Sequence, residues 1–252
     1  MASHNMAMIN LENTAIIIPA RLASTRLPNK PLLPINGKPM ILHVWERAVA
    51  ANLGVVVVAT DSQEIIDLIV KAGGNCELTS VNHQSGTDRI YEALKNFDKP
   101  NKIQYIINLQ GDLPQINQEC LVAVANILLD GAVDIGTLAC EMTDPEEINS
   151  HSIVKAIADI DSSLQTGQAI NFTRNAEASI NGNHLHHIGL YAYTRVALEK
   201  FVQLPQSVRE KEEKLEQLRA LDNQMRVDIK LIDFLPLGVD TPEDLEKMQK
   251  LI

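Results

Sequence analysis

Three basic side chains in one short loop, and two aspartates far from it in sequence, carry most of the chemistry this chain could perform. Arg21, Arg26 and Lys30 follow the apolar run "TAIIIPA", and from Arg21 to Lys38 there are four basic residues and no acidic one. That island stands out in a chain of 252 residues with a net charge of −10. Such a balance argues against wrapping nucleic acid and for gripping a small anion. Asp112, in "QGDLP", closes another apolar run, and a carboxylate beside a phosphate-binding loop suits a magnesium ligand. The block "HQSGTDR" (His83 to Arg89) adds small residues where a helix should begin. Asp240, in "GVDTPEDL", reads on pattern alone as the residue ahead of the helix cap Thr241.

Apolar strands and amphipathic helices must bring these residues together. Thr14–Ala20 and Gly54–Asp61 read as buried strands, and "YIINLQGD" (Tyr105 to Asp112) as a third. Pro39 to Leu53 reads as a helix that buries Ile41, Val44, Trp45 and Ala48. A second helix starts at the cap Ser62 and stops at Gly73 and Gly74. "CELTS" is a short strand, "GTDRIYEALKNF" a helix, and a further helix spans about Gln118 to Leu129. This alternation predicts an α/β fold whose mostly parallel sheet is covered by helices on both faces. Ligands in such sheets sit beyond the carboxyl ends of the strands, so the loops singled out above should converge there.

The second half predicts shorter extended pieces, "VKAIADI", "AINFTR", "HHIGLYAYT" and "RVDIKLIDF", as an inserted antiparallel portion suited to dimerisation. "REKEEKLEQLRALDNQ" reads as one charged helix, and "TPEDLEKMQKLI" as a closing helix with Pro242 at its first position. The first dozen residues, Met-rich at the start, read as a disordered or appended leader, leaving 13–252 as a single domain in which about 150–205 forms the smaller portion.

Several chemistries are set aside. Cys76, Cys120 and Cys140 are scattered and form no CxxC pair, which favours a reducing cytoplasm over a disulfide framework. No apolar run reaches membrane-spanning length. In "HLHH", strand alternation puts His184 and His186 on one face and His187 on the other, so the three cannot share a zinc ion while extended. GxGxxG, Walker, HExxH and GxSxG patterns are lacking.

The blocks "IIIPARLASTRLPNKPLLPINGKPMILHVWERA", "VVATD", "HQSGTDR", "NLQGDLP", "HIGLYAYTR", "EKLEQLRAL" and "GVDTPEDLEKM" resemble, in order and spacing, those of the 3-deoxy-manno-octulosonate cytidylyltransferases, the CMP-Kdo synthetases of Gram-negative bacteria. The resemblance spans nearly the whole chain after the first dozen residues. It implies a Rossmann-like nucleotidyltransferase fold, a homodimer, and transfer of CMP from CTP to Kdo with Mg²⁺, in lipopolysaccharide biosynthesis. It implies that Ala20, Arg21, Ser24 and Lys30 bind the triphosphate, and that Gln84, Ser85, Gly86 and Arg89 lie near the nucleoside. Asp112 and Asp240 become the metal ligands, replacing the bland reading of Asp240. With Arg21 and Lys30 they form the implied catalytic set. Arg26, Gln110, Arg174, His187, Tyr191, Glu216 and Gln217 are implied to hold the sugar acid, with Arg26 or Arg174 on its carboxylate. On pattern alone Glu216 and Gln217 could equally be an exposed pair on a charged helix. Leu113 stands where the family usually has Glu, "NAEASI" follows Arg174 in place of an aliphatic-Pro pair, and "SVRE" replaces "SPLE". Alternative substrates are a related acid sugar, such as the 8-amino form or a sialic-type acid. A noncatalytic sugar-nucleotide binder would not need both aspartates.

Overall fold

A computed structural model describes residues 9–23, 26–175 and 184–252 of the chain. Two compact units emerge, one of residues 10–122 with 236–252, the other of residues 123–235.

The first unit is built on four parallel strands. β1 (Thr14–Ala20) lies between β4 (Val55–Thr60) and β6 (Tyr105–Leu109), and β5 (Asn75–Leu78) extends the β4 edge. β1 is buried almost throughout, which is why it reads as an unbroken apolar run and not as an alternating one. α1 (Met40–Ala50), α2 (Gln63–Lys71) and α3 (Gly86–Phe97) pack against this sheet. α2 begins where the hydroxyl of Ser62 accepts from the Ile65 N–H, and α3 where that of Ser85 accepts from the Asp88 N–H. Pro39 is the residue before α1, one place earlier than expected. Between β1 and α1, β2 (Pro34–Ile35) and β3 (Lys38–Pro39) form a minimal hairpin over Asn36-Gly37. Both turn residues have positive φ, 48° and 82°, the geometry for which Asn-Gly is favoured.

The last 17 residues of the chain complete this unit. α9 (Pro242–Leu251) starts in a capping box in which Thr241 and Asp244 bond each other's backbone N–H groups. Val239 and Met248 join Leu27, Ile35 and Met40 in one buried cluster. Leu27 thereby fastens the basic loop, and Val239 fastens the stretch that carries Asp240.

The second unit is mostly antiparallel, as expected of the second half of the chain. Its strands are β7 (Ile135–Met142), β8 (Lys155–Ala158), β9 (Thr166–Thr173), β10 (His184–Thr194) and β11 (Val227–Leu231). Only β7 and β11 run parallel, and the ring of pairings β10-β7-β11-β9-β8-β10 closes on itself. The antiparallel part is thus a five-stranded unit of its own. β7, α5 (Pro145–Asn149) and α6 (Arg195–Gln203) were absent from the sequence-based expectation. The charged helix expected over 209–224 is two helices, α7 (Val208–Glu213) and α8 (Leu218–Asp222), broken where Lys214 turns left-handed at φ 56°. α4 (Gln118–Ile127) lies where a helix was expected.

Candidate active site

A cleft of about 380 Å³ opens in the first unit at the carboxyl ends of β1 and β6. Pro19, Ala20, Arg21, Ala23, Arg26 and Lys30 form one wall, Ser85, Gly86 and Arg89 of the α3 start another, and Gln110 to Asp112 with Asp240 the floor. Parallel strands end here with their loops side by side, and the segment that returns ahead of α9 adds Asp240 from 210 positions beyond Lys30.

The basic loop is shaped locally. The Asn29 N–H donates to the Leu22 carbonyl at 3.3 Å, and Asn29 itself is left-handed at φ 54°. A 3₁₀ turn over Lys30–Leu32 follows and aims the Lys30 side chain, only 15% exposed, into the cleft. Its Nζ donates to Asp112 Oδ2 at 2.6 Å and to Asp240 Oδ1 at 2.9 Å. The two acids are held together by the backbone as well, since the Val239 N–H donates to the Asp112 carbonyl at 3.0 Å. Arg26 lies 3.3 Å from the far oxygen of Asp240, but both groups are more than half exposed and the pair is weak. Arg21 makes no ion pair among the described residues and faces the cleft with its charge available.

Burial works against the charge on Lys30, yet the Asp112 and Asp240 carboxylates outweigh it and hold its pKa above the usual lysine value. For Asp240, burial pushes upward, and the hydrogen bond and charge of Lys30, followed by Arg26, bring the net below the ordinary aspartate value. Both shifts favour the charged forms, so Lys30 and Asp240 are ionised at neutral pH. Leu113, in the position of the family's glutamate, is buried and packs 3.6 Å from where a side chain on Gly238 would begin. It serves as packing beneath the floor.

Arg89 is 3% exposed and held from two sides, by Asp61 at 2.8 Å and by the Thr79 hydroxyl at 2.6 Å. Ser85 caps α3, so the positive end of a 12-residue helix faces the cleft beside Gly86. A methyl group on Gly86 would lie 3.3 Å from Pro19 Cγ, and one on Gly111 3.0 Å from the Pro19 carbonyl. These two glycines, on loops other than the basic one, keep the backbone close to any ligand. Gln110 lines the cleft with its amide bonded to Asn108. Gln84 is not among the lining residues, its amide donating to the Asn82 carbonyl. Ser24 lies outside the described residues. His83 was not expected in the site but lines it, bonded to Glu92, which also accepts the Ser80 N–H at 2.8 Å. Its presence in the "HQSGTDR" block was the available signal.

The remaining residues assigned to the sugar lie in the second unit. His187 is buried, edge-to-face with Phe172 at 4.9 Å and tilted against Tyr191 at 5.5 Å between ring centres. Its Nε2 is 3.0 Å from the Thr137 hydroxyl, which donates to the Leu190 and Ile188 carbonyls at 2.9 and 3.2 Å. Burial first, and neighbouring His186 second, push the His187 pKa down to about 3. Burial, reinforced by Tyr193 and Glu216, raises Tyr191 well above its usual value. Glu216 is half-buried and Gln217 buried, so they are not an exposed pair. The turn carrying them is fixed by a buried pair in which Arg219 donates to Glu210 at 2.6 and 2.9 Å. Arg174 donates to the His151 and Ser152 carbonyls at 3.2 and 2.8 Å.

Known proteins resemble this chain in sequence and fold. The sequence signature described as Cytidylyltransferase matches residues 15–229. The chain is 48% identical to the 3-deoxy-manno-octulosonate cytidylyltransferase of Paramagnetospirillum magneticum, over 94% of this chain and 96% of that one. It is 50% identical to that of Rhodopseudomonas palustris strain BisB5, over 95% and 97%. Among solved structures it superposes on a CMP:2-keto-3-deoxy-manno-octonic acid synthetase complexed with CTP, with a TM-score of 0.85, 36% identity, and coverage of 95% and 98%. A 4-diphosphocytidyl-2C-methyl-D-erythritol synthase from Anaerococcus prevotii, at 14% identity and a TM-score of 0.63, shares the fold alone. With a cleft that gathers bases, a helix start and two acids, and with near full-length similarity of this degree, the chain belongs to the 3-deoxy-manno-octulosonate cytidylyltransferases.

Proposed function

We propose that this protein transfers CMP from CTP to the anomeric hydroxyl of 3-deoxy-manno-octulosonate, giving CMP-Kdo and pyrophosphate. The observation that carries the reading is the convergence of Arg21, Arg26, Lys30, the α3 start, Asp112 and Asp240 on one cleft, in a chain half identical to enzymes of that name. The sugar oxygen attacks the α-phosphorus in line, its bond to phosphorus forms as the bond to the β-phosphate oxygen breaks, and the hydroxyl proton passes to solvent. Little covalent work falls to the protein, so positioning and charge neutralisation dominate.

Arg21 and the N–H groups at the start of α3 receive the triphosphate, and the buried Arg89 borders the nucleoside. Asp112 and Asp240 fit a magnesium ion, because they already converge on a single cationic atom and offer the hard oxygen donors that Mg²⁺ prefers. Bound there, Mg²⁺ would neutralise phosphate charge and acidify the attacking hydroxyl. Arg26, Gln110, Arg174, His187, Tyr191, Glu216 and Gln217 are assigned to the sugar acid on family resemblance. A homodimer in the cytoplasm completes the reading.

Pyrophosphate release with CTP tests it across Kdo, its 8-amino form and a sialic acid, with and without Mg²⁺. Turnover should be greatest with Kdo and require the metal, and no turnover with Kdo would overturn the assignment. Asp112→Asn or Asp240→Asn should lose at least about 100-fold in kcat, by analogy with removal of one transition-state contact, while CTP still binds.

A further inference from the structure

Lys30 occupies the very place that the proposed metal needs. Its ammonium lies within hydrogen-bond distance of both carboxylates, and its side chain is largely withdrawn from solvent. A magnesium ion would sit about 2.1 Å from its oxygens and draw the same lone pairs. Ion and ammonium cannot share that small space, since two cations at such separation repel strongly. Without either one, Asp112 and Asp240 would repel each other at the floor of the cleft.

Two further features bear on what happens next. Among the described residues no group of three or more His, Cys, Asp or Glu side chains could hold a metal ion. Two carboxylates alone make an incomplete magnesium site, of the kind that substrate phosphates normally complete. The Lys30 backbone, in contrast, is fixed, with the Leu33 N–H bonded to its carbonyl at 3.2 Å and Pro31 buried beside it. Only the side chain is free to turn, and Arg21 of the same loop marks where a triphosphate would receive it.

We infer that Lys30 is the resident counter-cation of the Asp112–Asp240 pair, holding the acids assembled without metal and surrendering them to a divalent ion only when a triphosphate is present to accept the ammonium. The inference rests on the reading of these two acids as metal ligands. It makes metal and nucleotide binding mutually dependent, since whatever factor nucleotide adds to metal affinity, metal adds to nucleotide affinity. It also keeps the empty cleft from collecting free divalent ions.

Mn²⁺ titrations followed by electron paramagnetic resonance, on the full-length protein without nucleotide, test the inference. Lys30→Met should bind Mn²⁺ at least tenfold more tightly than wild type, and Lys30→Gln, which keeps the hydrogen-bonding end without the charge, should show the same gain if Lys30→Met folds poorly. Adding Asp112→Asn to Lys30→Met should abolish that gain. Equal Mn²⁺ affinity in wild type and both Lys30 variants, lost on Asp112→Asn, would overturn the role of Lys30 while leaving the metal ligands standing. Failure of Lys30→Met to bind Mn²⁺ with or without CTP would overturn the metal reading and this inference together.

Discussion

Asp61 touches no surface of the cleft, yet Arg89 depends on it. The guanidinium is almost fully buried and donates to Asp61 at 2.8 Å. Asp61→Asn removes the carboxylate paired with this buried charge, a change that costs about 3 kcal/mol in comparable pairs. Urea denaturation should register that loss, and KM for CTP should rise while KM for Kdo stays near the wild-type value. His187 makes a second prediction possible at this scale. Its folded pKa of about 3 lies below the ordinary value of 6.5, so the unfolded chain takes up the proton first. Stability is therefore complete above about pH 6.5 and falls as pH drops toward 3, by up to about 1.4 kcal/mol per pH unit from this group. Between pH 6.5 and 5.5, above the range where carboxylates titrate, His187→Gln should flatten the slope of unfolding free energy against pH. An unchanged slope would show that another group sets it.

Among the elements, Lys214 is an exposed residue at the left-handed position that ends α7, φ 56°, where glycine is the usual choice. Relief of the side-chain clash outweighs the added freedom of the unfolded chain, so Lys214→Gly should stabilise the protein by about 0.5–1 kcal/mol, seen as a higher Tm. The same turn shows where the sequence stops being informative. Leu215 and Leu218 keep a helical spacing through 209–224, so the pattern carries no trace of a break set by one backbone angle. β7 was hidden for a different reason. Its residues are buried on both sides, "IGTLACEM" is rich in small side chains, and neither alternation nor a strong apolar run marks it. The strands of the first unit were legible because parallel strands covered on both sides must be continuously apolar. The site was legible where residue type alone implied charge chemistry, as in the basic loop and Asp112. It was not legible for Asp240, whose capping context explains its neighbours without it, nor for the ion pairs that tie Lys30 to both acids.

For the molecule as a whole, the net charge of −10 repels a nucleotide triphosphate at long range, while the cleft presents Arg21, Arg26, Lys30 and Arg89 against two carboxylates. Attraction is thus confined to the cleft and must be short in range. Raising salt from about 50 to 500 mM shrinks the Debye length severalfold, and KM for CTP should rise severalfold with kcat nearly constant. A salt-independent KM would place the binding energy elsewhere. The path of the chain has its own consequence. The unit that holds the cleft is interrupted after residue 122 and resumes only at 236, and its returning segment supplies Asp240, Val239 and Met248. A nascent chain therefore cannot assemble the cleft until residues 236–252 have emerged from the ribosome. Nascent and prematurely terminated products lack one of the two cleft acids and leave Leu27, Ile35 and Met40 uncovered, so they would neither consume CTP nor persist long against proteolysis. Synthesis through the returning segment is itself a condition for activity, enforced by connectivity.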